Sequence, residues 1–416
     1  MQAAPNTASD TVVMKFGGTS VANPDRVRGV ARRLVQARER GVRVVGTISA
    51  MGRTTDSLLE LAGRVSPHPD PRELDMLLST GERIACALVA MAVHDLGHEA
   101  VSFTGSQAGI ITDAVYTRAK IREITPVRVL DALEREKIVL VAGFQGFSRD
   151  TMDVTTLGRG GTDATAVALA ASLGASCEIY SDVPGVFTAD PRIVPNARKL
   201  SVVSYDEMLE MAASGAKVLM LRAVELARGN GVRIHARSTF SDEPGTWVQE
   251  RVEGELPPVR AVTHSDDDVL FRVRRLEGVS TTAILRAAAA EHVSVDTIVL
   301  GARRDAAGLS FSVAAEDVTA TRRAVARAGE GLGPPEVVES DDLGKVSVVG
   351  AGMRSRTGVA ARMLHALAGE HVEPRLISTS PIKISCLVDR AAVERCVRAL
   401  HDAFSLGTTA TGEGTG

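Results

Sequence analysis

From Thr11 to about Phe240, short β-branched runs alternate with longer stretches of helical period, the pattern of an α/β domain built on a mainly parallel sheet. TVVMKF (Thr11–Phe16) reads as a strand that Gly17 and Gly18 break. Asn23 followed by Pro24 reads as an N-cap with proline at the first helical position, opening a helix through Arg40 that Gly41 ends. Further strands are expected at 42–49, 99–103, 138–144, 177–181 and 232–236, and helices at 75–96, 163–173, 205–212 and 216–228. The order of strands in the sheet does not follow from the pattern.

After Glu243 the prolines, glycines and acidic residues lose periodicity, which marks a linker. Beyond it, Asp267 to Gly333 and Gly344 to about Leu406 each read strand, helix, strand, strand, helix. FRVRRLEG-VSTTAILRAAAAEHVSVDTIVL can be laid on VSVVGAG-TGVAARMLHALAGEHVEPRLIST, an internal repeat of about 75 residues. Two copies are too few for a solenoid, so a paired accessory domain is expected. The expected division is a disordered start at 1–10, a main domain at 11–248, a linker at 249–262, paired modules at 263–340 and 341–406, and a disordered tail at 407–416.

Composition narrows the function. The 416 residues are 44% hydrophobic and 24% charged, enough chain for two or three cores. A net charge of -3 without a long basic block gives no reason to expect nucleic acid or an anionic membrane as partner. Cys86, Cys177, Cys386 and Cys396 lie far apart and match no zinc spacing, so reduced, buried thiols are expected. MQAAPNTASD has neither a basic start nor an apolar core, and apolar runs such as Ile138 to Ala142 are strand-sized, so the protein is expected to be cytoplasmic.

Three segments carry candidate chemistry. In MKFGGTS, Lys15 ends a strand ahead of two glycines whose N–H groups can approach an anion, a phosphate-cradle arrangement that, taken alone, is more often just an ordinary turn. In TTLGRGGTDATAV, Arg159 offers a fork suited to a carboxylate, and Thr162 or Asp163 opens a helix. A solvated arginine and a simple cap are the alternatives. In EIYSDVPGVFTADPR, a strand end is followed by a turn presenting Phe187, which could pack a purine, and Arg192, which could meet phosphates. An exposed loop is the alternative there.

KFGGTSVA, SAMGRTTDSLLELA, DMLLSTGERI, TGSQAGI, VAGFQG, TTLGRGGTDATAVALAASLGA, EIYSDVPGVFTADPRIVPNARKL and GAKVLMLRAVELA resemble the successive motifs of the aspartate kinase family, in family order from Val12 to Val248. The repeat, with VSVVGAGM and LISTSPIKIS, resembles that family's paired ACT modules. The resemblance implies an amino acid kinase fold followed by two ACT-like βαββα(β) modules, and transfer of phosphate from ATP to L-aspartate. It implies ATP binding by Lys15, Gly17, Gly18, Ser181, Asp182, Phe187, Asp190, Arg192 and Lys217. Aspartate binding would fall to Ser49, Thr54, Thr55, Glu82, Arg159, Gly160, Gly161 and Thr162, and Lys15 and Asp163 would be catalytic. No residue is expected to ligate a metal directly, and Mg2+ would be held mainly through ATP oxygens. The ACT modules imply a lysine or threonine effector and a homo-oligomer, a dimer or larger, or pairing with a free regulatory subunit.

The substrate's side-chain carboxylate has an unperturbed pKa of about 4 and arrives ionised, so Asp163 is read as an orienter and not as a base. GGTD, YSDV and VFTADPR stand where relatives carry GGSD, YTDV and VYTADPR, and each change keeps the catalytic inventory. In the modules, EGVSTT and RSRTGV replace the usual Pro-Gly turn, and Pro374 and Pro381 fall where strand pairing or effector contact is expected. A weakened or altered response to lysine and threonine follows. A related kinase for another acidic substrate and a catalytically silent regulatory subunit are the competing readings. Retention of Glu82 and Arg159 argues against the first, and of Lys15 and Asp163 against the second.

Overall fold

Thr11–Phe16 forms β1, which has a parallel strand on each side; Val13, Met14 and Phe16 are therefore fully buried. The computed structural model describes residues 11–252, 254–274, 280–300, 308–330 and 336–407. Segments 1–10 and 408–416, for which disorder is expected, lie outside them. The chain divides into two compact units, Met1–Val186 with Lys199–Ala212 and Lys217–Gly254, and Phe187–Arg198 with Ala213–Ala216 and Glu255–Gly416.

In the first unit β1 is followed by α1 (Pro24–Glu39), β2 (Arg43–Ile48), α2 (Thr54–Val65), α3 (Pro71–Leu78), α4 (Thr80–His94) and β3 (Ala100–Phe103). Next come β4 (Ile110–Thr112), β5 (Ile121–Ile124), α5 (Val127–Glu134), β6 (Ile138–Ala142), β7 (Gln145–Ser148), β8 (Val154–Thr156) and α6 (Gly161–Leu173). The unit ends with β9 (Ser176–Ser181), β10 (Val202–Ser204), α7 (Tyr205–Ala213), α8 (Leu221–Asn230), β11 (Ile234–Ser238) and β12 (Thr246–Gln249). Eight strands make one sheet in the order β10-β12-β11-β9-β1-β2-β6-β3, with only the β11/β12 pair antiparallel. Met14, Phe16, Val44, Ile48, Leu140 and Ala142 cluster with α1 and α4. By alternation Val13, Val45 and Val139 face the other way, where α6 packs on β1, β2 and β9. A small sheet, β5-β4-β7-β8, completes the unit.

The pattern missed this small sheet, whose strands of three or four residues are too short to show alternation. The helix expected at 75–96 begins earlier, because Asp70 caps it by accepting from Arg72 and Glu73 N–H ahead of Pro71. It is also divided at Ser79, whose carbonyl accepts from Gln145 Nε2 at 2.9 Å. Together α3 and α4 are long and apolar enough by composition to cross a membrane, a length the strand-sized apolar runs had not suggested. Here α4 packs against α1 and β3. The helix expected from 216 starts only at Leu221, after an extended Met220.

The second unit carries β13 (Ala261–Ser265), β14 (Asp268–Arg274), α9 (Thr281–Ala290), β15 (Val295–Leu300), β16 (Gly308–Ala314), α10 (Val318–Ala328) and β17 (Glu336–Ser340). It continues with β18 (Leu343–Val349), α11 (Val359–Gly369), β19 (Leu376–Ser380), β20 (Lys383–Asp389) and α12 (Val393–Ala403). Two four-stranded sheets result, β15-β16-β14-β17 and β13-β18-β20-β19. The module boundary expected at 262/263 thus falls inside β13, which pairs with β18. β14 has β16 and β17 on its two edges, so β13 does not pair with the strand that follows it and lies instead along β18 at the edge of the other sheet. Pro374 precedes β19, and Pro381 sits in the turn between β19 and β20; neither removes a ladder donor.

Lys345, on β18, is buried and reaches Asp268 of β14 at 3.0 Å and Asp296 of β15 at 2.9 Å, so one cation joins the two sheets. Removing it would leave Asp268 charged and buried. Lys345→Ala is expected to cost about 3 kcal/mol or more in chemical denaturation of the second unit's transition. A loss below about 1 kcal/mol would mean that both carboxylates find water instead.

Candidate active site

Parallel register sets Phe16 opposite Ile48 and Tyr180, and Ile48 opposite Ala142. The chain therefore leaves β1, β2, β6 and β9 along one edge of the sheet, where open α/β sheets bind ligands. Backbone bonds tie these exits together: Ser49 N–H donates to Phe16 C=O at 3.1 Å, Gly143 N–H to Ile48 C=O at 3.1 Å and Gly52 N–H to Gly18 C=O at 3.0 Å. Gly18 approaches so closely that a Cβ on it would stand 2.9 Å from the Ala50 carbonyl oxygen.

At this edge Lys15 Nζ lies 2.6 Å from Asp163 Oδ1, with the two side chains 12% and 7% exposed. Asp163 sits in the first turn of α6, where the helix dipole favours a carboxylate. Gly160 starts that helix at φ 72°, and a Cβ there would strike Met220 Cγ at 2.6 Å, so no other residue fits the entry. Gly161 and Thr162 follow in the helix, both buried; Thr165 Oγ1 donates to Gly161 C=O at 2.7 Å and accepts from Phe144 N–H at 3.2 Å. Arg159 is exposed on the turn between β8 and α6.

Glu82, in the first turn of α4, is buried. Its Oε1 accepts from Ala50 N–H at 3.1 Å, while Oε2 has no partner. Burial pushes this carboxyl up to about 7, against the hydrogen bonds from its own N–H and that of Ala50. An unpartnered buried carboxylate oxygen suits a cationic ligand. Ser49, Thr54 and Thr55 are half-buried nearby in sequence to Ala50, and Thr54 Oγ1 donates to Met51 C=O at 2.6 Å.

Beyond the glycine turn, Ser20 Oγ and Thr239 Oγ1 are 2.6 Å apart, and Thr239 N–H donates to Ser181 C=O at 2.8 Å. Ser181 Oγ accepts from Val183 N–H at 3.3 Å and Asp182 is exposed beside it. Lys217 is exposed in the turn ahead of α8, outside the helix expected for it. Phe187, Asp190 and Arg192 belong to the second unit. There the Arg192 guanidinium lies 2.6 Å from Asp190 Oδ2 and holds that carboxyl below the usual range. Neighbouring Ala189 and Val194 are part of the core around β18 and α12.

Sequence reasoning passed over Asp75 and Arg222, which brace the turn before Arg159. Asp75 occupies the buried phase of α3 together with Leu78, and an acid in an apolar phase was the available signal.

The model of the amino acid kinase family matches residues 10–238, and that of the ACT domain matches residues 346–404. An aspartokinase of Mycolicibacterium smegmatis is 50% identical over 406 residues, covering 95% of this chain and 96% of that protein. An aspartokinase of Corynebacterium glutamicum is 46% identical over 407 residues, covering 95% and 96%. Among solved structures, E. coli aspartokinase III in complex with aspartate and ADP has the same fold, with a TM-score of 0.82 over 94% of this chain and 99% of that one at 24% identity.

The raised Glu82 carboxyl has a stability signature. Below pH 4.5, its ordinary value, it is protonated folded and unfolded; as pH rises toward about 7 only the unfolded chain has released the proton, so stability falls. Above that, the folded protein bears the full cost of the buried charge, on the order of 3 kcal/mol. Glu82→Gln is therefore expected to raise the urea midpoint at about pH 8 and to change it much less at about pH 5. An equal shift at both pH values would show that Glu82 does not titrate in this way.

Proposed function

The chain belongs to the aspartokinase family, and from that membership we propose that it transfers the terminal phosphoryl group of ATP to the side-chain carboxylate of L-aspartate. A carboxylate oxygen forms a bond to the γ-phosphorus while the bond to the β,γ-bridging oxygen breaks, leaving ADP and 4-phospho-L-aspartate. The observation that carries this reading is the Lys15–Asp163 pair at the strand ends, beside the glycine turn.

Because the nucleophile arrives ionised, the protein's task is to hold two anions together and neutralise the charge between them. Lys15 supplies the cation and the Gly18 N–H a dipole, while the Gly17 N–H, assigned to the phosphates from its motif, is directed at Tyr180 C=O at 3.4 Å. Asp163, held at 2.6 Å, keeps the ammonium aimed at the transferring group. Ser181, Asp182 and Lys217 are assigned to the nucleotide, and the nucleotide roles of Phe187, Asp190 and Arg192 rest on their motif alone. Arg159 would clamp the substrate's α-carboxylate with Gly160, Gly161 and Thr162 at the helix start. Glu82 would take the ammonium through its unpartnered Oε2, with Ser49, Thr54 and Thr55 bordering the substrate. Mg2+ carried mainly on the phosphate oxygens of ATP would neutralise charge on the transferring group.

The paired modules are assigned to amino-acid sensing, in a dimer or larger assembly or together with a free regulatory subunit. With Pro374 ahead of β19 and Pro381 in the turn after it, the expected weakening rests on the sequences EGVSTT, whose first three residues lie outside the described residues, and RSRTGV in place of Pro-Gly. Low concentrations of lysine and threonine are expected to leave most of the activity of the purified enzyme; strong inhibition by the pair would refute this.

Acyl-phosphate trapping with hydroxylamine across a panel of carboxylates tests the main reading. Aspartate is expected to be the favoured acceptor, with kcat lowered about 100- to 1,000-fold in Lys15→Ala and on the order of 100-fold in Asp163→Asn. Product from another acidic substrate but not from aspartate would favour the related-kinase reading, and no product from any would leave a regulatory subunit.

A further inference from the structure

The turn that carries Arg159 is braced by a residue far from it in sequence. Asp75 is fully buried, and it accepts four hydrogen bonds: from Thr117 N–H at 3.1 and 3.0 Å on its two oxygens, from Thr156 N–H at 2.9 Å and from Thr156 Oγ1 at 2.6 Å. Thr156 is the last residue of β8, immediately before Leu157-Gly158-Arg159. Thr117 stands at φ 64°, a left-handed conformation that a β-branched residue adopts only under constraint, at a cost of about 1–3 kcal/mol. Its carbonyl oxygen would lie 3.0 Å from a Cβ on Gly158, so the strained residue is pressed against the turn itself. From the other side Arg222 donates to Leu157 C=O and Ala119 C=O, each at 2.9 Å, and Ala119 N–H donates to Thr156 C=O at 2.9 Å.

The same Asp75 belongs to α3, which only Ser79 separates from α4 and Glu82. That junction is fixed as well: Gln145 Nε2 donates to Ser79 C=O at 2.9 Å, and Arg83 Nε donates to Gln145 Oε1 at 3.1 Å. Asp75 thus bonds one end of the helical rod that bears Glu82 to the base of the turn that bears Arg159.

We propose that Asp75 is a positioning residue for the amino acid substrate, fixing the span between Glu82, which receives the ammonium, and Arg159, which receives the α-carboxylate. The inference rests on the substrate roles proposed above, and it goes beyond them by tying substrate recognition to a residue that touches no substrate.

Steady-state kinetics of the full chain tests it with Asp75→Asn, Thr156→Val and Thr156→Ser, each alone and with Arg159→Ala. Thr156→Val removes only the hydroxyl donor to Asp75, and Thr156→Ser restores it. Asp75→Asn is expected to raise KM for aspartate about tenfold and Thr156→Val about fivefold, with KM for ATP within about twofold of the parent and Thr156→Ser close to the parent throughout. In the Arg159→Ala background both increases are expected to shrink below about twofold, because the group that the brace positions is gone. If Asp75→Asn does not fold, the Thr156 pair decides the matter. Equal increases in both backgrounds, parallel movement of the two KM values, or identical behaviour of the valine and serine variants would overturn the proposal. Arg159→Ala alone separates the two levels: if it leaves KM for aspartate unchanged, the substrate reading fails first and this inference with it.

Discussion

The first unit depends on one electrostatic constraint, a lysine on a central strand that must end against a carboxylate. β1 has parallel neighbours on both sides and helices over both faces, so Lys15 can keep its charge only at the strand's last exposed position and only with a partner. Asp163 meets it there because α6 starts at the same sheet edge, entered through a left-handed Gly160. The pair therefore fixes more than a local contact. It sets where α6 begins relative to β1, with Gly160 at the start of that helix and Gly17 and Gly18 at the end of that strand.

Around that pair, backbone bonds as well as side-chain packing arrange the elements. Phe16, Ile48 and Gly18 carbonyls accept from the neighbouring exit loops, so these loops are hydrogen-bonded to one another at the sheet's edge. Rigidity of this kind is what phosphoryl transfer requires, since the chemistry is supplied by the substrates and the protein contributes geometry and charge. Asp75 extends the same logic outward: a buried carboxylate satisfied by three donors, the N–H groups of Thr117 and Thr156 and the Thr156 hydroxyl, holds a strained Thr117 and the foot of the turn that carries Arg159 together.

Much of this was legible from residues alone, and for identifiable reasons. The long strands and helices show clear period, and Lys15, Arg159 and Asp163 stood out as charges set among glycines. What could not be read depends on contacts distant in sequence. Nothing in ELDMLLS tells that Asp75 is bonded to Thr117 and Thr156, and the motif TADPR gives no sign that Ala189 and Val194 belong to a different core from Lys15. The pairing of β13 with β18 was equally hidden, because its partner lies about 80 residues on in the chain, at roughly the spacing of the internal repeat, and not in the strand that follows β13.

Glu82 shows how a cost in stability can become selectivity. An isosteric amide would keep the bond from Ala50 without the buried charge, so folding alone gives no reason for a carboxylate here. With its pKa near 7 the group is only partly ionised at neutral pH before substrate arrives. An incoming ammonium favours the ionised form, so binding it releases a proton and relieves part of the desolvation cost. A dicarboxylate lacking the ammonium meets the opposite situation, since it must either leave Oε2 unpartnered or face a like charge. In the substrate role proposed for Glu82, the same buried oxygen that destabilises the free protein would discriminate an amino acid from a plain diacid, most sharply where Glu82 has no other donor to turn to.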